Sequence, residues 1–163
     1  MTAWIEASGF SIWMRESPSF FAFPLMLSLH AIGMGLAAGI NGALALRLLG
    51  VAPAVPVSEM KRFFPVMWAG VWVNGLSGIA LLIAYPTKAL TNPVFYLKLA
   101  LVALALVIAR SIGRRVFGSA AGWDAARAQA MRGLAAASLA VWVSAITAGR
   151  LLAYTYTHIL AAR

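Results

Sequence analysis

His30 stands inside a long apolar run, with Met26 four residues before it and Met34 four after. At 3.6 residues per turn these three fall on one helical stripe, which Phe23 and Asn41 also approach. A second stripe comes from Thr147, Arg150, Tyr154 and His158, spaced by three, four and four residues. The second apolar run along the chain adds Asn74 and Ser77, with Gly70 and Gly78 allowing a neighbouring helix to come close. Polar groups in such runs are costly to keep, which makes them pointers to function.

Three chemistries fit these residue types. A neutral His30 imidazole is a ligand for the iron of haem b; Gly33, three residues on, offers a flat macrocycle a bare surface, and Arg150 with Tyr154 suits its propionates. His158 is the candidate second axial ligand, with Met26 or Met34 as the fallback. Copper is the alternative, because His30, His158, Met26 and Met34 are suitable ligands for Cu(I). Met26 and Met34 lie two turns apart, roughly 12 Å, so they would serve a relay and not one ion. Quinone is the third, with His30, Asn74, Arg150 and Tyr154 donating to its carbonyl oxygens. Against all three stands a purely structural reading, in which the histidine ties helices together, the methionines fill gaps and the arginine binds carbonyls. Arg150 weighs against that reading. Glu6, Glu16, Glu59 and Asp124 are the whole acidic complement and all fall outside the apolar runs, so an anionic ligand is its natural partner.

Residues this polar need elements that carry them through an apolar medium. Of the 163 residues, 63% are apolar and 10% charged, with a mean hydropathy of +0.87. A soluble domain needs roughly a quarter of its residues charged. Four runs, at about 20–49, 63–85, 93–112 and 133–161, each reach the ~20 residues that cross a bilayer. Helices satisfy their own backbone in lipid and open strands do not. The sequence therefore predicts a single all-α domain over 1–163, a bundle of four transmembrane helices. Ser17-Pro18-Ser19 marks the entry to the first, and the polar, amphipathic segment 113–132 reads as a loop. Met1–Arg15, with Trp4, Ile5, Ile12 and Trp13 beside Glu6, Ser8 and Arg15, predicts a short interfacial helix and not a cleavable signal.

Basic residues give the orientation. Arg47, Lys61, Arg62, Arg110, Arg114, Arg115, Arg127 and Arg132 flank the first and third connections; Arg15, Lys88, Lys98 and Arg163 lie toward the other side. Positive-inside then places both termini in the periplasm of a bacterial inner membrane. The net charge of +9 is thereby topological, and no long basic run or RNA-binding aromatic motif points to nucleic acid. With no cysteine, disulfides, iron–sulfur clusters and c-type haem attachment are excluded. Two histidines and no acid in the spans cannot make a hydrolytic constellation. His30, Asn74 and Arg150 each lie about ten residues from the same end of their runs, a shared level roughly 15 Å in. If the first and last helices are neighbours, the two stripes face each other. The expected protein is a non-catalytic redox or cofactor-binding subunit, with copper handling or an accessory role in a larger membrane complex as alternatives.

Four motifs carry a resemblance. They are His30-Ala-Ile-Gly33, Leu46-Arg47-Leu48-Leu49-Gly50, Asn92-Pro93-Val94-Phe95-Tyr96-Leu97-Lys98 and Gly149-Arg150-Leu151-Leu152-Ala153-Tyr154. Across nearly the whole chain these resemble a family of small bacterial four-helix inner-membrane proteins of unknown function. More distantly, the chain is similar to the CopD-type copper-resistance membrane proteins, which share the early histidine and the Asn-Pro-x-Phe…Lys pattern. The resemblance implies His30, Asn92, Lys98, Arg150 and Tyr154 as positions of interest. Where the family often has an acid before Leu-Arg-Leu-Leu-Gly, this chain has Ala45.

Overall fold

A computed structural model describes residues 2–118 and 125–161, and among these the side chains of all but 125–128, 153 and 155–161. Two short helices open the chain, α1 (Ala3–Glu6) and α2 (Gly9–Glu16). The long helix α3 (Phe23–Leu48) is followed by a 3-10 helix (Val57–Phe63) and by α4 (Phe64–Ala84). Then come the short α5 (Pro86–Leu90), α6 (Pro93–Phe117) and α7 (Ala125–Ala161). The described residues contain no strand.

Helix boundaries follow local chemistry. Asn92 caps α6 by accepting from the Val94 N–H at 3.0 Å, and Pro93 fills the first helical position, where no N–H is needed. Pro24 and Pro65 sit one position later, second in α3 and α4. At the far end of α3, Gly50 adopts φ +102° and the chain closes with Val51 N–H to Leu46 O and Gly50 N–H to Arg47 O. That is the Schellman arrangement, and its left-handed residue favours glycine. Ser17 and Ser19 accept from Ser19 N–H and Phe21 N–H in a turn, so α3 begins at Phe23, three residues later than expected. Segment 113–132 is less loop than expected. α6 continues to Phe117 and α7 begins at Ala125, because neither Gly113 nor the arginines around it break an otherwise helical run.

Four helices are long and apolar enough to cross a membrane, over Phe23–Leu48, Val57–Ala84, Pro93–Phe117 and Gln129–Leu152. At most 28% of the most apolar window of any of them is buried inside the protein. Leu27, Ile32, Trp72, Leu76, Val107 and Val143 are exposed instead, an arrangement that fits a multi-pass membrane protein in lipid.

α3 packs along α4 and α7, and α6 packs along α7. The α3–α4 crossing is close: a Cβ on Gly33 would lie 2.6 Å from Asn74 N, and one on Gly70 2.6 Å from Leu36 Cβ. Such backbone approach is how helices gain packing where lipid supplies no hydrophobic drive. The interior is made of one cluster at Ala37, Ala105 and Trp142 and another at Leu44, Ile108 and Ile112. Between them, Ser138 Oγ donates to Asn41 Oδ1 at 3.2 Å, and Asn41 Nδ2 meets the Met67 sulfur at 3.8 Å. α4 meets α6 at the basic end of the bundle, through Phe64 against Gly113 and edge-on to Phe117 with ring centroids 5.0 Å apart.

α1 and α2 cover the opposite end. Arg15 Nη1 and Ser11 Oγ donate to the Ala84 carbonyl at 2.9 and 3.2 Å, a cation and a hydroxyl on the last carbonyls of α4. Arg15 Nη2 donates to Glu6 O, and Thr87 N–H to Glu6 Oε1. Trp4, Phe10 and Trp13 stay exposed, the pattern expected of an interfacial segment, here split in two by Ala7-Ser8.

Candidate functional site

His30 lies on the second turn of α3, half-buried, and its ring is held from two sides. Nδ1 is 3.0 Å from the Asn74 backbone oxygen and 3.3 Å from Ser77 Oγ, both on α4. A carbonyl oxygen only accepts, so Nδ1 carries the hydrogen. Nε2 is left with its lone pair, and Lys98 Nζ of α6 meets it as donor at 3.2 Å. Asn74 also clamps α3 itself, donating from Nδ2 to the His30 carbonyl at 2.7 Å. Ser77 donates back to Val73 O at 2.6 Å, which fixes its oxygen beside the ring.

Glycines make room for this arrangement. A Cβ on Gly78 would come within 3.2 Å of His30 Cε1. One on Gly149 would lie 3.4 Å from Lys98 Cε, so the lysine chain passes over the bare backbone of α7 to reach the imidazole.

His30 and Lys98 together line a cleft of about 590 Å³ between α3 and α7. Leu27, Met34, Gly35 and Gly39 line one wall, Ala145, Ile146 and Gly149 the other, and Lys98 and Arg150 bring two cations. The volume falls within the roughly 300–1,000 Å³ typical of cofactor clefts. Among the described residues one ion pair is present, Arg62 with Glu59 at 3.4 Å, far from the cleft in sequence and on the 3-10 helix. An apolar groove with cationic heads and no carboxylate suits an amphiphile with an apolar body and acceptor or anionic groups.

The structure thus brings His30, Met34 and Arg150 to one cleft between the first and last spans, with Asn74 behind the imidazole. Other expected site residues stand elsewhere. Gly33 faces α4, where it permits the helix crossing, so Gly35 and Gly39 supply the bare surface of the cleft. Met26 is half-buried and does not line the cleft. Tyr154 lies one turn past Arg150 on α7 and is exposed. The side chain of His158 lies outside the described residues. His30 is seven residues from the start of α3, about 10 Å by helical rise, which is shallower than expected because α3 starts later.

Sequence reasoning counted Lys98 with the basic residues that set topology and marked it as a position of interest only through the family resemblance, without expecting its contact with His30. The available signal was its place, five residues into an apolar helix, where an ammonium needs a partner. Among the described residues, no group of three or more His, Cys, Asp or Glu gathers to hold a metal. No protein-family model, curated protein or solved structure matches this chain.

Proposed function

We propose that this protein is a non-catalytic membrane subunit that binds haem b in the α3/α7 cleft, with His30 Nε2 as an axial ligand. One observation carries the reading: Nδ1–H is committed to a backbone carbonyl, which makes Nε2 the acceptor nitrogen, met by Lys98 Nζ at 3.2 Å beside an apolar cleft with two cations. Metal-binding imidazoles are oriented in this way, their second nitrogen donating to a carbonyl or carboxylate. The residues present fit the group. Gly35, Gly39 and Ala145 leave flat walls for a macrocycle, and Arg150 supports a propionate. The iron would supply reversible one-electron chemistry, and the protein's part is to bind, orient and shield it.

The same reading places the chain in a bacterial cytoplasmic membrane with both termini on the periplasmic side. Its support is the concentration of Arg47, Lys61, Arg62, Arg110, Arg114, Arg115 and Arg132 at one end of the bundle. The site then sits toward the periplasmic face, where an electron partner can approach. Copper draws less support from the geometry, since His30 and Met34 share the cleft without Met26.

The test is the visible spectrum of detergent-purified protein, as isolated and after dithionite. The expected result is a Soret band with resolved α and β bands on reduction, absent from His30→Ala. Protein that carries no porphyrin when expressed with ample haem overturns the reading.

A further inference from the structure

Trp142 of α7 is 3% exposed, and its indole Nε1–H meets no hydrogen-bond acceptor among the described residues. The ring packs against Ala37 and Ala105, with Met34, Val71 and Leu106 around them, and none of these side chains accepts a strong hydrogen bond. A buried indole ordinarily finds a partner for this hydrogen.

A second group with spare bonding capacity lies one turn away. Asn41 follows Ala37 by four residues on α3, and Ser138 precedes Trp142 by four on α7. The two helices run in opposite directions, so both side chains stand on the same side of the Ala37–Trp142 contact, toward the basic end of the bundle. Helical side chains lean toward their own N-terminus, which inclines the Trp142 ring to the Ser138 turn. Asn41 and Ser138 are both buried, and Ser138 Oγ donates to Asn41 Oδ1 at 3.2 Å. Of the two Asn41 amide hydrogens, one meets the Met67 sulfur, a weak acceptor, at 3.8 Å. Among the described residues the other amide hydrogen and the Ser138 lone pairs find no partner.

We propose that these three side chains hold one buried water, which accepts from Trp142 Nε1–H and Asn41 Nδ2–H and donates to Ser138 Oγ. The unmatched groups are two donors and one acceptor, and about three protein bonds is the ordinary complement of an internal water. A bare anion has no hydrogen for Ser138, and a cation is repelled by two N–H groups. All three side chains are neutral, so a charged occupant would stand uncompensated at membrane depth. Ala37 and Ala105 keep the surroundings of the ring small. The water then ties α3 to α7 where their direct bond is a single hydroxyl contact. Asn41, Ser138 and Trp142 do not line the α3/α7 cleft, so this site stands whether or not the cleft holds haem.

Magic-angle-spinning resonance of ¹⁵N-labelled protein in lipid bilayers, with magnetisation passed from water to nitrogen-bound protons, tests it. Trp142→Phe assigns the indole signal. The Ala105 amide is the control, an equally buried N–H committed within α6. The expected build-up at Trp142 Nε1–H and at the Asn41 side-chain amide of the wild type is several-fold faster than at Ala105. Build-up at either group no faster than at Ala105 overturns the site. Asn41→Leu keeps the volume and removes both polar atoms, and is expected to slow Trp142 to the Ala105 rate. Unchanged build-up at Trp142 in folded Asn41→Leu overturns the shared water. If that variant does not fold, Ser138→Ala, which deletes one oxygen, is read in the same way, and the two wild-type signals decide by themselves if neither folds.

Discussion

Gly33→Ala is the most informative single methyl in the molecule. Its Cβ would lie 2.6 Å from Asn74 N and 2.7 Å from Gly70 O, both backbone atoms that no side-chain rotation can clear. Restoring ordinary contact near 3.4 Å requires α3 and α4 to part by about 0.8 Å at this crossing. The His30 Nδ1 to Asn74 O separation then grows from 3.0 to about 3.8 Å, and Asn74 Nδ2 to His30 O from 2.7 to about 3.5 Å. Both exceed useful hydrogen-bond length. Overpacking of this kind costs about 1–3 kcal/mol, and interhelical bonds in lipid contribute roughly 0.6 kcal/mol each. Alanine returns about 0.5–1 kcal/mol of helix propensity, so a net loss of roughly 1–4 kcal/mol is expected. Reversible unfolding in mixed micelles measures it, with Gly75→Ala as the control, since nothing lies within 4 Å of a Cβ there. Because the methyl already breaks the Asn74 clamp, Asn74→Ala should cost less in the Gly33→Ala background than alone, by about 0.5 kcal/mol or more. Gly33→Ala as stable as Gly75→Ala, or strict additivity with Asn74→Ala, refutes the close crossing and its coupling to the histidine.

Arg150→Ala is expected to lower haem occupancy several-fold, while Lys88→Ala on α5 leaves it unchanged; pyridine haemochrome content against protein checks both. Arg15→Ala removes the donor that ties α2 to the Ala84 carbonyl, at a cost of about 1 kcal/mol, and should speed proteolysis within residues 2–20. Acid is expected to loosen the same segment. Hydrogen bonds from Thr87 hold the Glu6 carboxyl below its ordinary range, helped by the Arg15 charge. A depressed carboxyl contributes stability above its unfolded value, and that contribution is lost as pH falls through the folded one. Proteolysis of the segment should therefore rise on acidification below the usual glutamate range in the wild type, and Glu6→Gln should flatten the profile.

Much of the architecture was legible because lipid imposes few solutions. Four runs of adequate length read directly from residue type. The start of α3 was misplaced because Ser17 and Ser19 bond their own neighbouring N–H groups in a turn, which looks like a helix cap in sequence. The pairing of the His30 and Arg150 stripes was also legible, from periodicity and the proximity of the first and last helices. Gly33 was not, since three residues from His30 already turns the chain to the α4 side and spacing alone does not say which neighbour lies there. The contact of Lys98 with His30 escaped for a related reason. A basic residue near a helix end reads equally as a topological charge or as a buried donor, and only the glycine gap at Gly149 separates the two.

The acceptor that orients His30 is a main-chain oxygen, and this has an evolutionary consequence. Any residue at position 74 offers that oxygen, so the imidazole's alignment survives every substitution that keeps α4 helical and close. Selection on the Asn74 side chain therefore acts through its amide grip on the His30 carbonyl, which holds two helices in register. Drift at position 74 in related chains would loosen the scaffold before it turned the ring.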